Sequence, residues 1–60
     1  MRPLAITYRN GWSASMDRSN WVYTVIVRNA FGDVHDKIRL DDYRSAMDYY
    51  RAFRAIAKNA

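Results

Sequence analysis

Sixty residues, half of them hydrophobic and including two Trp, five Tyr and two Phe, make one domain. A chain this short buries only about 60% of its unfolded surface, so its core must be dense. With no cysteine there is neither a disulfide framework nor a thiolate metal site, and a reducing, cytoplasmic setting fits best. Ten Lys and Arg against six Asp and Glu give a formal charge of +4, which permits nucleic acid as a partner without demanding it.

In chain order, Leu4, Ile6 and Tyr8 alternate with Ala5, Thr7 and Arg9, and Pro3 stands where a leading edge strand tolerates it, so a strand is predicted over about 4–9. The apolar run from Leu4 to Ile6 is too brief for a signal segment or a membrane span, and a soluble chain without membrane contact is expected. Asn10-Gly11 is a strong hairpin signal, because these residues best tolerate the positive φ of a type I′ turn. A short return strand over 12–16 is one reading of the next segment. A loose loop ending in the polar run Asp17-Arg18-Ser19-Asn20 is the other, since Ser13, Ala14 and Ser15 are weak strand formers.

From Asn20 to Arg28 the period of two is clear, with Trp21, Tyr23, Val25 and Val27 on one side. After the turn Asn29-Ala30-Phe31-Gly32-Asp33 it resumes over 34–40 with Val34, Ile38 and Leu40. Pairing Asn29 with Val34 buries the most apolar surface and predicts that all seven residues share the core face. The other face then carries Val22, Thr24, Ile26 and Arg28 beside His35, Lys37 and Arg39. One residue resists this register: Asp36 falls on the core side and needs a partner, a twist or a bulge to expose it.

From Asp41 the apolar period becomes about 3.6, and a helix is predicted over about 42–58 with Asp41 as its cap and Asp42 beside the positive end of the dipole. Tyr43, Ala46, Tyr49, Tyr50, Phe53, Ile56 and Ala57 form its apolar sector, with Met47 adjoining. Arg44, Arg51, Arg54 and Lys58 line one polar flank. The fold class is therefore α+β, an antiparallel three- or four-stranded sheet packed against one C-terminal helix.

Chemistry is sparse. His35 beside Asp36, with Asp41 and Asp42, is the only set that suggests a metal, and neighbouring strand residues point to opposite faces, so capping and solvation account better for them. The single histidine has no nucleophile at a recognisable spacing, and both glycines are explained by turns. No cofactor and no catalysis are expected.

Two binding readings remain. In the first, a protein partner pairs a strand with an exposed sheet edge, Leu4 to Arg9 or Val34 to Leu40, and meets Val22, Ile26, Phe31 and Trp12 as apolar anchors ringed by Arg28, His35, Lys37 and Arg39, because aromatic residues and arginine are enriched at binding hot spots. In the second, Arg28, Lys37 and Arg39 with the helix flank Arg44, Arg51, Arg54 and Lys58 grip a nucleic acid; this layout is similar to the three-stranded DNA-reading modules of plant AP2 factors and integrase arm-binding domains. A homodimer is a third use of an open edge or surplus helix surface, with Tyr49 and Ile56 at the margin of the apolar sector.

Tyr23-Thr-Val-Ile-Val-Arg-Asn, a glycine turn, a basic strand and the helix Asp41-Asp-Tyr-Arg-Ser-Ala-Met-Asp-Tyr-Tyr-Arg together resemble the small strand-strand-helix accessory proteins of bacteriophages and mobile elements. The resemblance is architectural and covers about two thirds of the chain. It implies a non-catalytic modulator or inhibitor acting by protein–protein contact, and it transfers no residue roles.

Overall fold

A computed structural model describes residues 4–60, so the expectation for Pro3 lies outside the described residues. Strands β1 (Ala5–Arg9), β2 (Trp12–Ser19), β3 (Val22–Arg28) and β4 (Val34–Leu40) form an antiparallel meander in the order β1-β2-β3-β4, and helix α1 (Tyr43–Lys58) covers one face. This is the expected α+β arrangement with four strands.

The second strand is longer than its composition suggests. It runs to Ser19, taking in most of the run read as a possible loop, because β2 is hydrogen-bonded along both sides and its alternate residues Ala14 and Met16 are shut from water. Pairing and burial override the weak propensity of serine and alanine. Ala14 beneath the helix, with Ala46 and Ala57 on it, lets the two layers approach closely, and Val25, Val27, Tyr50 and Phe53 fill the space around them.

Two short turns set the faces. Asn10 (φ 54°) and Gly11 (φ 80°) both take positive φ, as a type I′ turn requires. This places Arg9 opposite Trp12, Thr7 opposite Ala14 and Ala5 opposite Met16. Ala5, Thr7 and Arg9 therefore face the helix, while Leu4, Ile6 and Tyr8 face the open side. At the next turn Asn20 alone has positive φ, at 57°, and Trp21 is its second residue. That overturns the placement of Trp21 on the core face: it is 79% exposed, with the Arg18 guanidinium 5.5 Å from its ring centroid.

The β3–β4 pairing is as expected for Val27 with Asp36, Val25 with Ile38 and Tyr23 with Leu40, but slips at the turn, where Arg28 pairs with Val34. The cause lies in the loop. Asn29 N–H donates to the Asp33 carbonyl (2.9 Å), and Asn29 Oδ1 accepts from the N–H groups of Phe31 (2.9 Å) and Asp33 (3.0 Å). Closing the loop at Asp33 makes strand pairing resume at Val34 and leaves His35 as the extra residue of a bulge. Val34 thereby leaves the expected core face for the open one, where it is 49% exposed. His35 leaves the basic face and meets the Trp12 ring edge-on, with centroids 5.0 Å apart. Asp36 is exposed beside the bulge, its Oδ1 accepting from the Lys37 N–H (2.8 Å), which resolves its awkward register without an arginine partner.

The helix buries Ala46, Tyr50, Phe53 and Ala57, one stripe of the expected sector. Its cap is Asp42 rather than Asp41: Asp42 Oδ2 accepts from the backbone N–H (2.9 Å) and hydroxyl (2.8 Å) of Ser45. At the other end Asn10 Nδ2 donates to the carbonyls of Ala57 (3.2 Å) and Lys58 (3.1 Å), so the first hairpin turn also caps the helix.

Candidate functional site

With α1 on one side, the opposite face of the sheet has no second layer among the described residues. Antiparallel pairing lines its side chains up in rows that cross all four strands. Tyr8, Ser13, Arg28 and Val34 form one row, and Ile6, Ser15, Ile26 and Lys37 form the next. Asp17, Thr24 and Arg39 form a third, with Leu4 adjoining at the β1 edge. From edge to edge the face is thus apolar on β1, short and polar on β2 with one carboxylate at Asp17, mixed on β3 and basic on β4. The half-buried Ser13 and Ser15 lie between Ile6 and Tyr8 on one side and Ile26 and Arg28 on the other.

Of the residues expected to bind a protein, Val22, Ile26, Arg28, Lys37 and Arg39 share this face as anticipated. Phe31 stands at the tip of the β3–β4 loop, 90% exposed. Trp12 and His35 do not join them. Trp12 lies on the helix side, partly buried against the core, and holds His35 there.

Leu4, Ile6, Tyr8 and Val34 were missed as surface anchors, although Leu4, Ile6 and Tyr8 carried a readable signal. Once Ala14 and Met16 are placed in the core, a two-residue turn at Asn10-Gly11 forces the even-numbered residues of β1 outward. Val34 could not be placed without knowing the loop's hydrogen bonds.

The seven cations grouped for nucleic acid are divided by the sheet. Arg28, Lys37 and Arg39 belong to the open face, whereas Arg44, Arg51, Arg54 and Lys58 are exposed on α1 on the far side. Arg51, Arg54 and Lys58 instead converge with Arg9 and Thr7 of β1. Tyr49 is exposed, with its ring edge-on to Phe53 (6.4 Å), and Ile56 packs on the core margin.

Among the described residues no group of three or more His, Cys, Asp or Glu could hold a metal ion, and no helix is long and apolar enough to cross a membrane. The Asp42 carboxyl is displaced from its ordinary acidity. It lies below 3.8, chiefly because the Ser45 backbone N–H, and then the Ser45 hydroxyl, donate to the ionised form.

The fold is a two-layer α+β arrangement that leaves one sheet face uncovered among the described residues. Comparison with protein families, with curated proteins and with solved structures gave no match, so no relative lends residue roles to this chain.

Proposed function

We propose that the chain is a non-catalytic binding protein that modulates a protein partner through the open sheet face. The observation that carries this reading is the set of large apolar side chains on that face, Leu4, Ile6, Tyr8, Val22 and Val34, each 40% exposed or more on an ordered sheet. Covering such surface is favourable by about 25 cal/mol per Å², and Leu4, Ile6 and Tyr8, at successive outward positions of β1, make a continuous apolar edge of the face. The gradient across the face describes the partner: an apolar surface to meet β1 and β3, flanked by carboxylates to meet Arg28, Lys37 and Arg39.

Four strands about 4.8 Å apart and about six residues long at about 3.3 Å each present roughly 400 Å², half of a standard partner's share. The contact therefore extends past the sheet to Trp21 or Phe31, the exposed aromatics at opposite ends of β3, or it is transient. The architectural resemblance to accessory proteins of bacteriophages and mobile elements supports a modulating role. The basic β4 side disfavours simple self-pairing along that strand, since like charges would be brought together.

The test is capture of a defined protein from nuclease-treated lysate of the source organism at low and high salt, comparing wild type with the double variant Ile6→Ser, Tyr8→Ser. Capture that survives nuclease and salt and is lost in the folded double variant supports the reading. Capture unchanged in that variant, or abolished by nuclease, overturns it. Sedimentation over a range of concentrations gives the remaining outcome, with a dimer broken by the same two substitutions assigning the face to a second copy of the chain.

A further inference from the structure

A second surface lies on the other side of β1. Between β1 and α1 runs a cleft of about 240 Å³ lined by Thr7, Arg9, Arg51, Arg54, Ala55 and Lys58. The lining holds four cations and one hydroxyl, and no carboxylate. Arg51, Arg54 and Lys58, at i, i+3 and i+7, make one stripe of the helix. Arg9 joins them because the Asn10-Gly11 turn directs the odd residues of β1 toward the helix.

The cleft is partly pre-organised. The Arg54 guanidinium lies 5.8 Å from the ring centroid of Tyr50, a residue only 5% exposed, which restrains a side chain that otherwise has many rotamers. Thr7 Oγ1 and the Tyr50 hydroxyl are 2.6 Å apart. Two hydroxyls that share one hydrogen bond have one proton left over. Thr7 lines the cleft and Tyr50 does not, so an anion there selects the arrangement in which Tyr50 donates to Thr7 and Thr7 donates to the anion. The negative end of the helix dipole would oppose such a ligand, but Asn10 occupies the carbonyls of Ala57 and Lys58.

The shape of the cationic surface selects among anions. Arg44, Arg51 and Lys58 recur every seven residues, and a helix drifts only about 20° per heptad, so the three run nearly along the axis for about 21 Å. A single small anion would use one point of that line. A linear polyanion, with a charge about every 3.4 Å per strand, uses all of it. The stripe is strongest in its C-terminal half, since Asp48 shares the neighbouring depression with Arg44 and Arg51. No aromatic or amide side chain lines the cleft to stack on a base or read its edge.

We propose that this cleft is a phosphate site that takes the phosphodiester backbone of a nucleic acid without regard to sequence. Arg9, Arg51, Arg54 and Lys58 contact the phosphates, Thr7 donates from the floor, and Arg44 extends the track. The site is independent of the open face, which β1 separates from it.

Fluorescence anisotropy with labelled random-sequence duplex and single-stranded oligonucleotides, across a salt series, tests it, with inorganic tripolyphosphate as a competing probe. Three or four duplex phosphates give a slope of about −3 to −4 in log K against log salt. Arg9→Ala and Arg51→Ala each weaken binding about tenfold at low salt and make the slope shallower by about one, whereas Lys37→Ala on the opposite face leaves it unchanged. All of these side chains are exposed, and Arg51→Lys, which keeps the charge, restores the slope. Absence of oligonucleotide binding overturns the proposal. So does binding of tripolyphosphate alone, or a slope that Lys37→Ala reduces as much as Arg51→Ala does.

Discussion

The two faces of the sheet come from the same strands and differ by one residue of phase. On the helix side Ala14, Met16, Val25 and Val27 are shut from water, and Tyr50 and Phe53 reach down onto them. On the open side their neighbours Ser13, Ser15, Thr24 and Ile26 are only half-buried, with exposed apolar residues along β1 and exposed cations along β4. Stability is therefore one-sided. In so small a domain that leaves a whole face whose composition the fold does not dictate, and there the side chains are free to serve recognition.

The most severe disturbance of this contrast is to open the covered face. Phe53→Ala removes a ring that is 5% exposed and should cost about 3–5 kcal/mol, enough to abolish the cooperative thermal transition of a domain near the lower end of ordinary stability. Retention of that transition in circular dichroism would mean that the helix layer is not the main stabiliser. The open-face double variant Ile6→Ser, Tyr8→Ser should lower the unfolding free energy measured in urea far less, by about 0.5 kcal/mol per site at most.

Between these extremes lie the two glycines. Gly11→Ala must hold φ near 80° and brings its Cβ to 3.3 Å from that of Ala30, where the first hairpin turn meets the β3–β4 loop; about 1–3 kcal/mol of destabilisation is expected. Gly32→Ala carries the same kind of backbone strain at φ 87° with open space around it, and should cost less. Equal losses in urea unfolding would show that the contact with Ala30 carries no weight.

At the helix cap the expected effect is one of pH dependence. Because the folded-state acidity of Asp42 lies below its ordinary 3.8, its contribution to stability is complete above that value and is lost as pH falls through the lowered one. The stability difference between wild type and Asp42→Ala, measured by urea unfolding, should thus be constant near neutrality and shrink below pH 3.8. Asp42→Asn, which can still cap, should remove that pH dependence. A difference that grows on acidification would exclude Asp42 as the cap.

The candidate sites were legible in unequal measure. The open-face cations Arg28, Lys37 and Arg39 could be grouped from alternation alone, as could Val22 and Ile26. The helix stripe Arg51, Arg54 and Lys58 followed from the helical period. What joins that stripe to Arg9 and Thr7 is a contact between the two ends of the chain, which no local pattern encodes. Trp12 and His35 were read as surface anchors, but the phase of β2 puts Trp12 on the side of Ala14 and Met16, and the bulge set by the hydrogen bonds of Asn29 carries His35 there.

The chain's own pattern determined the α+β class, the hairpin at Asn10-Gly11, the pairing of Tyr23, Val25 and Val27 with Leu40, Ile38 and Asp36, and the helix with its buried stripe. Each of these follows from a period or a turn chemistry that acts over a few residues. Tertiary structure alone decided that β2 extends to Ser19, that Trp21 leaves the core, that Val34 and His35 exchange faces, and that Arg9 meets the helix. Those outcomes depend on hydrogen bonding and packing between segments distant in sequence, where burial of a whole layer outweighs the preference of any one residue.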